Sequence, residues 1–157
     1  MEIILACDAE GGVAKQGVMP WPRLAEDMKH FKAMTDGHCV VMGSTTWNDE
    51  CTPCPLPNRL NVVASTKKIQ GAQAVISGDL PTAIRTLDVG SMKKFVIGGA
   101  DIVMQVLTAA DVIHITEIHE TYDCDTFVPK YFEPFGFRRT ETKTLAANAN
   151  YTRWEKQ

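Results

Sequence analysis

Apolar residues along this chain come in short runs, each followed by a polar stretch or a segment of helical period. The runs are IILACD at 3–8, HCVVMG at 38–43, NVVAS at 61–65, AQAVI at 72–76, FVIG at 95–98 and VIHITEI at 112–118. Runs this short, rich in Val and Ile and bounded by Gly, Asp or Ser, predict buried strands. Segments 22–34, 44–47, 80–87 and 100–107 carry the 3.6-residue pattern of helices. Pro22 suits the first turn of the first of these, and Asp79 stands where the third would be capped. Residues 9–20, with Gly11, Gly12 and Gly17, predict a loop. The tail predicts two strands, 137–144 and 150–155, joined by a polar turn. Strands alternating with helices imply an α/β sheet with parallel crossovers, and the terminal pair adds an antiparallel edge.

In such sheets ligands bind outside the carboxyl ends of the strands. Three strand ends carry suitable residues: Gly43-Ser44-Thr45-Thr46, Ser65-Thr66-Lys67 and Gly98-Gly99. Paired glycines let a ligand approach the backbone, and hydroxyls with free N–H groups at a helix start can hold phosphate. Each has an ordinary alternative: a tight turn at Gly98-Gly99, N-caps at Ser44 to Thr46, a solvated turn at Ser65 to Lys68. The spacing is not that of the G-x-G-x-x-G fingerprint. Three such ends in one small chain favour one extended, phosphate-bearing ligand.

The first helical segment holds a conflict. Leu24, Met28 and Phe31 fall on one face, and Asp27 falls on that face too, while Glu26 turns to solvent. A carboxylate on an apolar face is costly and its pKa should rise, which marks functional sites more often than chance. The alternative is a carboxylate that caps something local. The four histidines, His30, His38, His114 and His119, form no ligand cluster and read as structural or exposed, and Trp21 as a packing anchor.

Composition narrows the classes. The chain has 157 residues, 45% hydrophobic and 22% charged, with a net charge of −3. One globular domain over 1–157 is expected. The charge offers no general attraction for nucleic acid or an anionic membrane surface. The apolar opening run is too short for a signal peptide or a bilayer span. Five cysteines, an odd number, suit free thiols in a reducing cytoplasm. Cys51 and Cys54 have C-x-x-C spacing, but they sit in a Pro-rich loop and lack a second pair, so neither a metal site nor a redox motif is expected.

In order, MPW, D-x-x-x-F, VMGSTTW, LPNRLNVVAST, VIGGADIV, TEIHETYDCDTFVP and the tail NANYTRWEKQ resemble dihydrofolate reductase over nearly the whole chain. The resemblance implies an α/β fold with a central, mostly parallel eight-stranded sheet, an antiparallel C-terminal strand and four helices. It implies a monomer that reduces dihydrofolate with NADPH and binds antifolates. Asp27, Trp21 and Thr116 match the catalytic set. Ile4, Ala6, Met28, Phe31, Leu56 and Ile97 match the walls of the folate site, and Arg59 the clamp on its glutamate tail. For the cofactor, Ala6, Ala14 and Met19 match the lid side, and Gly43, Ser44, Thr45 and Thr46 one strand end. Ser65, Thr66 and Lys67 match a second, and Ile97, Gly98, Gly99, Ala100, Asp101, Ile102 and Gln105 a third, with Thr126 beyond. Ser44 and Asp101 stand where members often carry basic residues, and Val103 where an aromatic is usual. Two other readings remain: a related reductase acting on another pterin or a pyrimidine, which Arg59 opposes, and a structural protein that keeps the fold.

Overall fold

A computed structural model of the chain describes residues 1–50 and 52–157; the expectation for the Cys51–Cys54 pair therefore lies partly outside the described residues. The elements in order are β1 (Glu2–Cys7), β2 (Gly12–Ala14), α1 (Ala25–Thr35), β3 (Cys39–Gly43), α2 (Ser44–Trp47), β4 (Leu60–Ala64) and β5 (Ala74–Ile76). Then come α3 (Leu80–Thr86), β6 (Lys94–Gly98), α4 (Ala100–Val106), β7 (Val112–Ile118), β8 (Thr126–Phe127), β9 (Phe137–Ala146) and β10 (Ala149–Lys156). Short 3-10 turns follow α4 and precede β9.

Eight strands form one sheet in the order β5-β4-β3-β6-β1-β7-β10-β9. All neighbours from β5 to β7 pair parallel, and β10 runs against both β7 and β9. Strands β3, β4 and β6 are apolar on both faces because helices or loops cover both sides, as parallel strands require. One face packs Ile3, Val41, Val62, Val96, Ile113 and Ile115 against Leu80 and Ile84 of α3 and Ile102, Val103 and Val106 of α4. The other face sets Ile4, Val40, Met42, Val63 and Phe95 against Phe31 and Met34 of α1 and Leu56.

Several expectations need correction. The first helix begins at Ala25, not Pro22, with Leu24 as the extended residue before it; Pro22 belongs to the approach. Residues 9–20 are not only loop: Gly12–Ala14 pairs antiparallel with Thr126–Phe127, and Lys15 bridges Val18. Two and three residues are too few for an alternation signal, and the pairing is long-range. The strand expected over 72–76 starts at Ala74. Asp79 does precede α3, but its carboxylate accepts the Thr82 hydroxyl rather than a backbone N–H. The Ser44–Thr46 hydroxyls cap nothing; Gly43 is the residue before α2 and no side-chain cap bond is made.

Candidate active site

The cleft forms where the parallel strands end. Between β3 and β6 the register slips by one residue: Val41 faces Val96, but Met42 faces Gly98. This bulge sets Ile97 out of pairing and brings Gly98 beside the end of β3, a common device at functional sites. Gly98 has φ +133°, a conformation essentially reserved to glycine. A Cβ on Gly98 would lie 3.2 Å from Thr46 Oγ1, and one on Gly43 only 2.9 Å from Ile102 Cγ1. Gly43, Thr46, Gly98 and Ile102 therefore meet in a space that only backbone can share. Gly99 is the extended residue before α4, with Ala100 and Asp101 in its first turn. These strand ends form a backbone-lined cradle.

At the neighbouring strand end, Ser65 Oγ accepts the Lys67 N–H at 3.0 Å, so Ser65, Thr66 and Lys67 turn together at the surface. Gln105 lies on the solvent side of α4, a turn past Asp101. The lid approaches from the other direction: a Cβ on Gly17 would be 3.2 Å from Thr45 Cγ2. Val18 and Met19 at its tip are exposed apolar side chains. Ala14 pairs with Thr126, and Asp125 accepts the Gln16 N–H at 2.9 Å.

The lid has a second anchor that sequence reading missed. Asp8, buried just beyond β1, accepts N–H bonds from Glu10 (2.9 Å), Gly12 (2.8 Å) and Tyr122 (3.1 Å). Burial pushes its carboxyl up, but the three backbone donors outweigh this and hold it below the usual carboxylate range. An Asp at a strand end followed by glycines signals an Asx-type turn; the bond from Tyr122 has no local signal.

Opposite the cradle stands α1. Thr116 of β7 donates its hydroxyl to Asp27 Oδ1 at 2.6 Å. Burial raises the Asp27 carboxyl from its usual value, while the Thr116 bond and His30 oppose the rise. Thr116 sits in register between Ala6 of β1 and Tyr151 of β10. Ile4 and Ala6 therefore share its face, and Ile97 of β6 joins the apolar group there. Phe31 is half-buried, but Met28 is 44% exposed. The face holding Asp27 is thus the wall of an open cleft rather than a packed core, which corrects the expectation from periodicity.

Trp21, 7% exposed, packs with Ile118, Ala149, Ala6 and Leu24, its ring edge-on to Tyr122 at 5.7 Å. It anchors the segment joining the lid to α1. At the far end of that helix Arg59 donates from Nε to Pro57 O (2.8 Å) and from Nη1 to Thr35 Oγ1 (3.1 Å). Thr35 in turn donates to Phe31 O. These bonds fix the guanidinium at the last turn of α1. Leu56 is held by Asn61, whose side chain bonds both its N–H and its carbonyl.

Cys54 points its thiol at Met42 Sδ, 3.7 Å away, and burial pushes its pKa up, the opposite of an activated thiol. Among the described residues no group of three or more His, Cys, Asp or Glu could hold a metal. Among the described residues no helix is long and apolar enough to cross a membrane.

A mostly parallel sheet with glycine-bearing strand ends on one side and a carboxylate-bearing helix on the other defines the class: an α/β fold with its candidate site at the carboxyl ends of the strands. The family described as dihydrofolate reductase matches residues 1–155. Dihydrofolate reductase from Bacillus subtilis (strain 168) is 33% identical over 138 residues, covering 85% of this chain and 77% of that protein. A bifunctional dihydrofolate reductase-thymidylate synthase from Daucus carota is 36% identical, covering 97% of this chain; the chain spans 33% of that longer protein. Dihydrofolate reductase from Enterococcus faecalis, solved with NADP(H) and RAB-propyl, superposes with a TM-score of 0.78 at 26% identity, covering 98% of this chain and 94% of that one. The chain belongs to the dihydrofolate reductase family.

Proposed function

We propose that this chain, acting as one domain over 1–157, reduces 7,8-dihydrofolate to tetrahydrofolate with NADPH. The observation that carries the reading is the Asp27–Thr116 pair standing across the cleft from the cradle of Gly43, Thr46, Gly98 and Ile102. Glycine at positions 43 and 98 lets these strand ends close against Ile102 and Thr46, so that backbone rather than side chains would face a pyrophosphate-bearing ligand such as NADPH. Ser44, Thr45, Thr46, Ser65, Thr66 and Lys67 supply hydroxyls and a cation for its phosphates, and Ala6, Ile97 and Met19 apolar surface for its ring. Ala14 and Thr126 hold the base of the lid, Gly99 and Ala100 open α4 toward the cradle, and Asp101 and Gln105 border its solvent side.

When bound, NADPH supplies a hydride to C6 of the pterin. The chain's own residues then have five tasks. Asp27 accepts hydrogen bonds from N3 and the 2-amino group of the pterin, and Thr116 keeps its carboxylate aimed at them. Asp27 also stabilises the positive charge that develops on the ring as N5 takes a proton from water; an acid bonded at N3 lies on the wrong side to deliver that proton. Ile4, Ala6, Met28, Phe31, Leu56 and Ile97 hold the ligand in reactive geometry, with Trp21 fixing the approach to α1. Closure of the lid around Met19 excludes water. Arg59, with Nη2 unengaged among the described residues, takes the glutamate α-carboxylate.

The chain acts as a monomer in the cytoplasm, with no nucleic acid or membrane partner; its partners are dihydrofolate and antifolates. NADPH consumption by the purified chain, with and without dihydrofolate, tests the reading. Dihydrofolate-dependent consumption is expected. None at any substrate concentration rejects it, and equal rates with pterins lacking the glutamyl tail reject the role of Arg59.

A further inference from the structure

One buried carboxylate meets the lid at both of its roots. Asp8 follows the last residue of β1 and is 3% exposed. Its two oxygens serve different segments. Oδ1 accepts the N–H groups of Glu10 and Gly12, at 2.9 and 2.8 Å, from the arm that leads into the lid. Oδ2 accepts the Tyr122 N–H at 3.1 Å and the Cys124 thiol at 3.5 Å, from the segment that leads into β8. Burial and the Asp8 bond push the Cys124 thiol up to about 11, so the sulfur keeps its proton and can donate. Four donors occupy the roughly four lone-pair sites that a carboxylate offers.

The entry root of the lid is held directly. Gly12 opens β2, which pairs with β8, and the Asp8 N–H donates to Gly12 O at 2.8 Å, so the two residues are bonded in both directions. A Cβ on Gly12 would lie 2.6 Å from Cys124 Sγ and 3.0 Å from Asp8 Oδ2. Only glycine lets this arm close on the carboxylate. The exit root is held through Tyr122, whose ring meets that of Trp21 with centroids 5.7 Å apart and planes at 64°. Trp21 is the buried residue from which the chain turns toward α1.

Between the roots the ties are slight. Lys15 bridges Val18 and pairs with Asp123 at the surface, and Asp125 accepts the Gln16 N–H. Val18 and Met19 stay exposed. A segment pinned at both ends to one buried point samples fewer conformations than one pinned at a single end, because each fixed residue loses backbone freedom. That point lies on the strand that also carries Ile4 and Ala6 of the cleft wall.

We propose that Asp8 is a positioning residue of the reaction: by holding both roots of the lid, it sets where Met19 closes over the reacting rings. The inference rests on the reading of this cleft as a dihydrofolate reductase site. Asp8 acts through Gly12 and Tyr122 rather than on a ligand. Its loss should therefore slow the hydride step and leave the grip of Asp27 and Arg59 on folate in place. Asp8→Asn keeps the shape but turns one oxygen into an N–H donor. Whichever way the amide is seated, that end faces backbone N–H groups, and one root comes loose.

Single-turnover oxidation of NADPH by the full chain, at saturating dihydrofolate, should slow about tenfold in Asp8→Asn, while the Kd of dihydrofolate without NADPH stays within about twofold. Gly12→Ala, which forces Cys124 and Asp8 apart, should act in the same way and decides the matter if the first variant does not fold. Amide exchange should quicken at residues 10–20 and 121–128 and stay slow in the central sheet. A folded variant with an unchanged single-turnover rate overturns the positioning role. So does a loss of folate affinity as large as the loss of rate, which would make Asp8 a general support of the cleft. An unsubstituted chain that never oxidises NADPH in response to dihydrofolate instead overturns the proposed function, and the role of Asp8 with it.

Discussion

Beneath α3 and α4 the central sheet presents Ile3, Val41, Val62, Val96, Ile113 and Ile115, a continuous apolar layer. Beneath α1 the same strands present Glu2, Ile4, His114, Thr116 and Tyr151, where polar side chains bond one another across three strands. Only one residue of register separates the two layers, because side chains alternate along a strand. A polar group in the first layer would lack partners. In the second, each polar group on the path from Glu2 to Tyr151 answers a neighbour, and the Thr116–Asp27 bond ends at the open cleft. The first layer supplies stability without chemistry. The second spends some packing on holding a partly desolvated carboxylate.

The contrast can be broken from either side. Ile113→Ala, in the apolar layer, should cost about 2–5 kcal/mol of stability by lost burial and a residual cavity. Denaturant unfolding would read the loss, and kcat per folded molecule should hold. Asp27→Asn should do the reverse, lowering kcat/KM at neutral pH about a hundredfold, or ~2.7 kcal/mol, with the fold intact; steady-state assays beside a circular dichroism spectrum would decide. Gly98→Ala, at φ +133° and beside Thr46, should cost roughly 1–3 kcal/mol and weaken NADPH binding, which calorimetric titration measures. Arg59→Ala should raise KM for dihydrofolate about tenfold, ~1.4 kcal/mol, with little change in kcat, since a distant clamp acts equally on ground and transition states.

The smallest effect sharpens the comparison most. The Asp27 pKa is raised in the folded chain. Between the unfolded value of 3.8 and that raised value, the folded state holds more protons, so this group makes the chain more stable as pH falls. Above the window its buried charge is a standing cost. Asp27→Asn should therefore raise the thermal midpoint by a few degrees near neutral pH, and the gain should fade below the usual carboxylate range. A midpoint lowered at pH 7 would mean that Asp27 stabilises the fold.

Much of the fold was readable along the chain. The strand over 112–118 was placed to the residue, and the others to within two, because buried parallel strands are short, apolar and sharply bounded. The glycine-bearing strand ends stood out for the same reason. Helix α1 was read three residues too long at its start, since Pro22 is equally at home in an extended approach. The β2–β8 pair was invisible: so few residues carry no period, and their pairing spans more than a hundred positions.

From its sequence alone this protein settled where the apolar strands run, which strand ends carry glycines and hydroxyls, and that Asp27 stands on an otherwise apolar helix face. Those are local properties, written in periodicity and side-chain chemistry. Only the tertiary structure decided that this face borders an open cleft, that Thr116 from 89 residues away bonds the acid, and that Asp8 and the His30–Tyr151–His114–Glu2 chain support its surroundings. Strand order and register bring those groups together, and both depend on contacts between segments too distant in the chain for any local pattern to record.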